Sequence, residues 1–200
     1  MTYKYALTVL AGVGLLVSSC SIFGSGDPDY WPMAEGNCWH FRDMTIRTPP
    51  DSASDTTVFE DATVWRCCDK ETMDDGEQAW AVDVGDGDTA FFRETGDAVL
   101  VYASRSETEP DTWLCFPLEQ GRVWEYGNSA MVVRGKETVS VPAGTYRNCW
   151  KVQLLGLLAQ DFDFHTWFAP DVGMVKTEMA IESEGYSYVS RLELTEVDLE

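Results

Sequence analysis

From Asn37 onward, apolar and polar residues alternate in short runs separated by turn signals, and no stretch after residue 20 keeps a helical period. Trp39 and Phe41 fall on one face of a first strand, with Cys38, His40 and Arg42 on the other. Thr57 to Lys70 is rich in Val, Thr and aromatic residues, and Asp74-Asp75-Gly76 signals a hairpin. Between Glu77 and Val84, the residues Ala79, Ala81 and Asp83 oppose Trp80, Val82 and Val84. Turns at Gly85-Asp86-Gly87-Asp88 and Gly96-Asp97 carry the meander through Phe91-Phe92 and Val99 to Tyr102. Farther on, Val139 and Val141 alternate into Pro142-Ala143-Gly144, where Pro presets φ and Gly permits a positive φ. Tyr146, Asn148, Trp150, Val152 and Leu154 then share one face, against Arg147, Cys149, Lys151 and Gln153. A strand, turn, strand unit over Trp167–Lys176 and an alternating strand from Tyr186 to Val197 complete the pattern.

One motif occurs twice. Trp31-Pro32-Met33-Ala34-Glu35-Gly36-Asn37-Cys38-Trp39-His40-Phe41 returns without a gap as Phe116-Pro117-Leu118-Glu119-Gln120-Gly121-Arg122-Val123-Trp124-Glu125-Tyr126. A repeat at long period signals one supersecondary unit used twice around a shared core. The expected architecture is all-β, made of two tandem related halves. Residues 31–105 form the first half, the polar stretch 106–115 the connector and residues 116–200 the second half. Trp39 and Trp124 are expected at matching positions.

Charge narrows the partners. With 14 Lys and Arg against 34 Asp and Glu, the formal net charge is −20. Such a surface repels nucleic acid, which is bound through cations that neutralise phosphates. It also disfavours lying flat on anionic lipid through basic patches.

The first 19 residues supply an address. Lys4 precedes an apolar run from Ala6 to Val17, too short to span a bilayer as a helix, and Val17-Ser18-Ser19 leads into Cys20. This segment resembles a bacterial lipoprotein signal, in which cleavage leaves Cys20 as the acylated N-terminus. Several acyl chains on one cysteine give lasting attachment, each buried methylene contributing about 0.8 kcal/mol. Residues 20–30 have the small, polar makeup of a tether. Ser21 is not the Asp type of inner-membrane retention signal, so the expected location is the outer membrane, facing the periplasm.

Pro142-Ala143-Gly144-Thr145-Tyr146, the downstream Trp167-Phe168-Ala169-Pro170-Asp171-Val172-Gly173-Met174-Val175-Lys176 and the paired Pro-Leu-type motifs resemble those of uncharacterised bacterial envelope lipoproteins. That family is similar in fold to the lipoprotein localisation factors, and the resemblance implies an all-β, strongly curved antiparallel sheet, or half-barrel. It brings no reaction; relatives with known roles bind acyl chains or act as assembly partners. Asp171 stands where the family has Gly, and Asp tolerates left-handed backbone better than most residues.

Five cysteines remain beyond Cys20: Cys38, Cys67, Cys68, Cys115 and Cys149. In an oxidising envelope they are candidates for disulfides. Adjacent Cys67 and Cys68 point to opposite strand faces and should seek different partners. Cys38 with Cys67 or Cys68, and Cys115 with Cys149, are the expected bridges, with one thiol left over. The alternative is a metal or redox site of Cys38, His40, Cys67 and Cys68, whose soft ligands suit zinc or copper, although no Cys-x-x-Cys spacing occurs. A hydrolase using His165 beside Asp163 ranks third, since no nucleophile accompanies them at a recognisable turn. Asp83 to Asp88 is out of step with a calcium loop and reads as a hairpin turn. Trp39, Trp124, Trp150 and Trp167 are the candidate core or ligand-facing aromatics. The leading expectation is therefore a non-enzymatic binding or assembly module, without cofactor, that holds an apolar ligand or another envelope protein on its concave face.

Overall fold

The structure, a computed structural model, describes residues 28–50, 55–156, 162–183 and 185–200. Twelve strands follow one another: β1 (Cys38–Thr48), β2 (Thr57–Thr72), β3 (Gln78–Asp83), β4 (Thr89–Glu94), β5 (Ala98–Tyr102), β6 (Asp111–Cys115), β7 (Val123–Tyr126), β8 (Ser129–Val141), β9 (Gly144–Leu155), β10 (Phe162–Ala169), β11 (Gly173–Ser183) and β12 (Tyr186–Asp198). They form one sheet in the order β6-β5-β4-β3-β2-β1-β12-β11-β10-β9-β8-β7. Each strand pairs antiparallel with its neighbour in sequence, except β6 with β7, and β1 pairs with β12. The sheet is strongly curved and nearly closed, with its seam between β6 and β7. Side chains hold that seam: the Trp124 indole N–H donates to Thr112 O at 2.8 Å, and Gly127 N–H to Asp111 Oδ1 at 2.7 Å. Strand β6 occupies part of the stretch read from sequence as connector.

The repeated motif folds into the same turn twice. Gly36 N–H donates to Cys67 O, Cys67 N–H to Asn37 O and Asn37 N–H to Ala34 O. At the corresponding positions Gly121 N–H donates to Val133 O, Val133 N–H to Arg122 O and Arg122 N–H to Glu119 O. Gly36 and Gly121 take φ values of 92° and 88°, a left-handed conformation that glycine adopts without steric cost. Both following tryptophans turn their N–H onto a backbone carbonyl, Trp39 onto Val172 at 2.7 Å and Trp124 onto Thr112.

Trp31 fills the middle of the barrel at the end where β1 begins. It is 2% exposed and stacks on Trp39 with ring centroids 6.1 Å apart. Phe92, Trp113, Phe168 and Trp65 surround it at 5.1, 5.5, 6.2 and 6.4 Å. Aromatic pairs at such spacings add to what area burial already contributes. Val99, Leu114, Val133, Val152, Met174 and Leu194 extend this core. A second, smaller cluster of Met73, Ala79, Ala81, Phe91 and Tyr102 lies on the opposite face of β3 and β4, so both faces are buried there. This is why Ala79 and Ala81, opposite the Trp80 row, are nonetheless 2% and 3% exposed.

The alternation expected in β9 breaks at Asn148. It adopts a φ of 59° in a bulge and is exposed, whereas Cys149 turns into the core. The β3–β4 turn matches the hairpin expectation: Val84 N–H donates to Asp88 O, and Asp88 N–H to Gly85 O. A Cβ at Gly85 would collide with the Thr63 hydroxyl, so glycine is required there on two counts, φ being 93°.

Candidate functional site

At the end opposite Trp31, the inner face is lined but not filled by the described residues. Cross-strand partners share a face of the sheet. The ladders align Phe162 with Ile181 and Tyr188, Phe164 with Met179 and Ser190, and Thr166 with Thr177 and Leu192. Farther along β10, Phe168 lies on the same face and meets Trp31, so these rows point inward. Thr166 and Thr177 are buried at the floor, while Phe162, Phe164, Met179, Ile181, Tyr186 and Tyr188 are half-buried. Phe162 and Phe164 stack at 6.3 Å with planes 2° apart, and Tyr186 and Tyr188 lie 6.1 Å apart. The result is an apolar trough on the concave face.

Two polar features bound it. At the mouth, the Arg47 guanidinium sits 4.4 Å from the Tyr186 ring centre and 5.9 Å from that of Tyr188. Arg47, Pro49, Asp55, Thr57 and Tyr186 line a cavity of about 120 Å³ there. At the floor, Thr166 is 3% exposed and its hydroxyl has no hydrogen-bond partner among the described residues. A buried hydroxyl without a partner is costly, and a ligand group that reached it would recover a hydrogen bond.

The tryptophans singled out from sequence lie elsewhere. Trp39 and Trp124 are buried at 3% and 8% exposure in the inner core. Trp150 is half-buried beneath the Lys136 ammonium at 4.6 Å. Trp167 lies on the outer face between Lys151 and Lys176, at 4.9 and 5.0 Å, and its N–H donates to Glu137. The trough aromatics were legible only as period-two pairs, Phe162 with Phe164 and Tyr186 with Tyr188; nothing in the sequence alone says which face is left open.

His165 shares the outer face with Trp167, its Nδ1 3.4 Å from Asp163 Oδ1. Burial, then the nearby Lys151 charge, hold its pKa below the usual imidazole value.

The expected disulfides are not present: Cys38, Cys67, Cys68, Cys115 and Cys149 are free thiols. Register explains part of this. Cys38 pairs with Arg66, whose Nε donates to the Cys38 sulfur at 3.3 Å, which puts neighbouring Cys67 on the opposite face. Cys68 Sγ turns back to Arg66 O at 3.6 Å. Cys115 is held by Arg122 through Nε and Nη2 at 3.3 and 3.1 Å, while Cys149 is fully buried and donates to Tyr146 O. Burial pushes the Cys67 thiol up to about 12 and that of Cys149 up to about 11. The alternative metal set does not converge either. Cys67 faces away from Cys38, His40 Nε2 lies 3.8 Å from Asp198, and no group of three or more ligating side chains assembles among the described residues. Cys20 and the tether residues through Asp27 lie outside the described residues.

No protein-family model and no curated protein matches the chain. Solved structures similar to it include a Bacteroides fragilis protein described as exported, with a YmcC-like fold (14% identity, 86% of this chain and 100% of that chain, TM-score 0.43). A Parabacteroides distasonis protein described as a lipoprotein gives 14% identity, 87% and 100% coverage and a TM-score of 0.42. A LolA superfamily protein of Nitrosomonas europaea gives 12%, 84%, 88% and 0.23. These are distant likenesses, and the motif resemblance finds no matching family model.

Proposed function

We propose that this chain is a lipid-anchored, non-enzymatic binding protein of the bacterial envelope that holds an apolar ligand in the open half of its concave face. One observation carries the reading: the inward rows of Phe162, Ile181 and Tyr188 and of Phe164 and Met179 stay half-buried, whereas Trp31, Trp39, Phe41 and Phe168 at the other end of the inner face are packed. Apolar side chains left open on a concave wall, with a few polar groups at fixed points, are the usual makeup of a ligand site. The Arg47 cation at the mouth and the Thr166 hydroxyl at the floor suit a ligand with a hydrogen-bonding group. Attachment through acylated Cys20 to the outer membrane, with the barrel in the periplasm, is part of the same proposal.

A fluorescent fatty acid titrated into the purified protein should bind saturably. Ile181→Asp or Met179→Asp should weaken it at least about tenfold, since a charge must then be desolvated against the tail. Thermal melts of both variants establish that they are folded. Equal binding by folded variants and the parent would end the trough proposal. For the anchor, Cys20→Ser should move the protein from the membrane to the soluble periplasmic fraction; unchanged membrane association would rule the anchor out.

A further inference from the structure

Strand β2 is longer than the neighbour that covers it. It pairs with β1 from Thr57 to Arg66, but β3 joins its other side only from Arg66 onward. The β3–β4 turn reaches back as far as Thr63, whose hydroxyl meets Val84 O at 3.4 Å. Upstream of that point, among the described residues, no strand lies beside the second edge of β2. All six residues from Thr57 to Ala62 are exposed, with Val58 at 51% and Phe59 at 62%. The Ala62 N–H is taken up by the adjacent Asp61 carboxylate at 2.8 Å, as suits a donor on an uncovered edge. A long edge with β-forming residues, no proline and exposed apolar side chains is a template for another strand.

We infer that this edge of β2 binds an extended segment of another protein by strand addition, a function other than holding an apolar ligand. Charge selects the partner. Successive residues Val58, Phe59, Glu60 and Asp61 present two apolar and then two acidic positions along the edge. A second copy is a poor match: antiparallel self-pairing over Thr57–Ala62 sets Glu60 opposite Phe59 and Asp61 opposite Val58. Acidic side chains then face apolar ones, and each copy carries a net charge of −20. An incoming antiparallel strand that reads basic, basic, apolar, apolar from its N-terminus sets cations against Asp61 and Glu60 and apolar side chains against Phe59 and Val58. Backbone hydrogen bonds along the edge supply affinity, and these four positions supply specificity.

The test uses the full chain and labelled eight-residue peptides with Lys-Lys-Val-Val or Glu-Glu-Val-Val at the centre. The basic peptide should bind at least about tenfold more tightly, from two favourable cross-strand charge pairs replacing two unfavourable ones. The double variant Glu60→Lys, Asp61→Lys should reverse the preference, and N-methylation of the peptide backbone should abolish binding. Saturating fluorescent fatty acid should leave peptide binding unchanged, which separates this edge from the trough. Equal affinity for both peptides, an unchanged preference in the double variant, or binding that survives N-methylation would overturn the inference. So would disulfide-linked dimers of the peptide-free Phe59→Cys variant that the parent does not form, because they would assign the edge to a second copy.

Discussion

Asp171 and Asp29 hold each other by two hydrogen bonds: Asp171 N–H donates to Asp29 O at 2.6 Å, and Asp29 N–H donates to Asp171 Oδ1 at 2.9 Å. Asp171 does this from a left-handed φ of 58°, and its carboxylate is what a glycine there would lack. Asp29 in turn accepts the Trp31 backbone N–H through Oδ1 at 2.7 Å, so the pair fixes the strap that inserts Trp31. Asp171→Gly keeps the backbone conformation and deletes the acceptor. It should cost about 0.5–1.5 kcal/mol in urea denaturation. Burial, and to a lesser degree Asp171, raise the Asp29 pKa, so its charge opposes folding at neutral pH. Asp29→Asn keeps an acceptor oxygen and removes that charge; it should leave stability at pH 7 equal or higher, and a clear loss would contradict this account.

Trp31 is the largest single contributor expected within the core. Trp31→Ala removes a ring enclosed by five aromatic neighbours and should destabilise by about 3–5 kcal/mol. A denaturation midpoint little changed from the parent would show that the strap is not part of the cooperative unit.

The seam depends on one indole. Trp124→Phe keeps an aromatic ring but loses the bond to Thr112 O, at a cost of about 0.5–1.5 kcal/mol. Amide exchange should accelerate in β6 and β7 while β1 and β12, paired on both sides, stay protected. Uniform acceleration across all strands would mean that the seam does not open separately.

The buried thiols and phenols set an alkaline limit. Cys67 at about 12 and Cys149 at about 11 stay protonated where an exposed thiol near 9 ionises, and Tyr30, Tyr102, Tyr126 and Tyr146 are raised in the same sense by burial. The unfolded chain therefore releases protons first. The associated stability is complete below the unfolded values and declines from about pH 9 toward 12. Urea melts across that range should show the decline, and a thiol reagent at pH 8 should label Cys67 and Cys149 only on unfolding. Rapid labelling of either in the folded protein would refute their burial.

Local chemistry made much of the fold legible. Asp74-Asp75-Gly76 forms its turn, with Gly76 at a φ of 87°, and Pro142-Ala143 joins β8 to β9. The all-β class followed from alternation and turn spacing, and the curvature of the sheet from the motif resemblance. What stayed hidden depends on contacts between distant segments. Asp111–Cys115 is polar enough to read as connector, yet it pairs with β5 and places Trp113 against Trp31. Asn148 gives no sign in a two-residue alternation that it will bulge and send Cys149 inward. The trough stays hidden for a related reason: Phe162 and Phe164 differ from Trp39 in that Trp31 stacks on Trp39 and not on them.

Closure of the sheet by β1 and β12 places Cys38 opposite Asp198, and Glu200 N–H donates to Asn37 Oδ1 at 2.9 Å. The first and last strands thus meet inside a continuous ladder, while the sheet's own break lies between β6 and β7. Cutting the chain at exposed Glu119 and Gln120 and joining Glu200 to Asp29 by a short linker would give a circular permutant whose ends coincide with that break. In it, β12 and β1 become sequence neighbours, and the pairing that spans almost the whole natural chain becomes a local one. Since folding slows as contacts become more distant in sequence, the permutant should reach the same sheet faster than the natural order does.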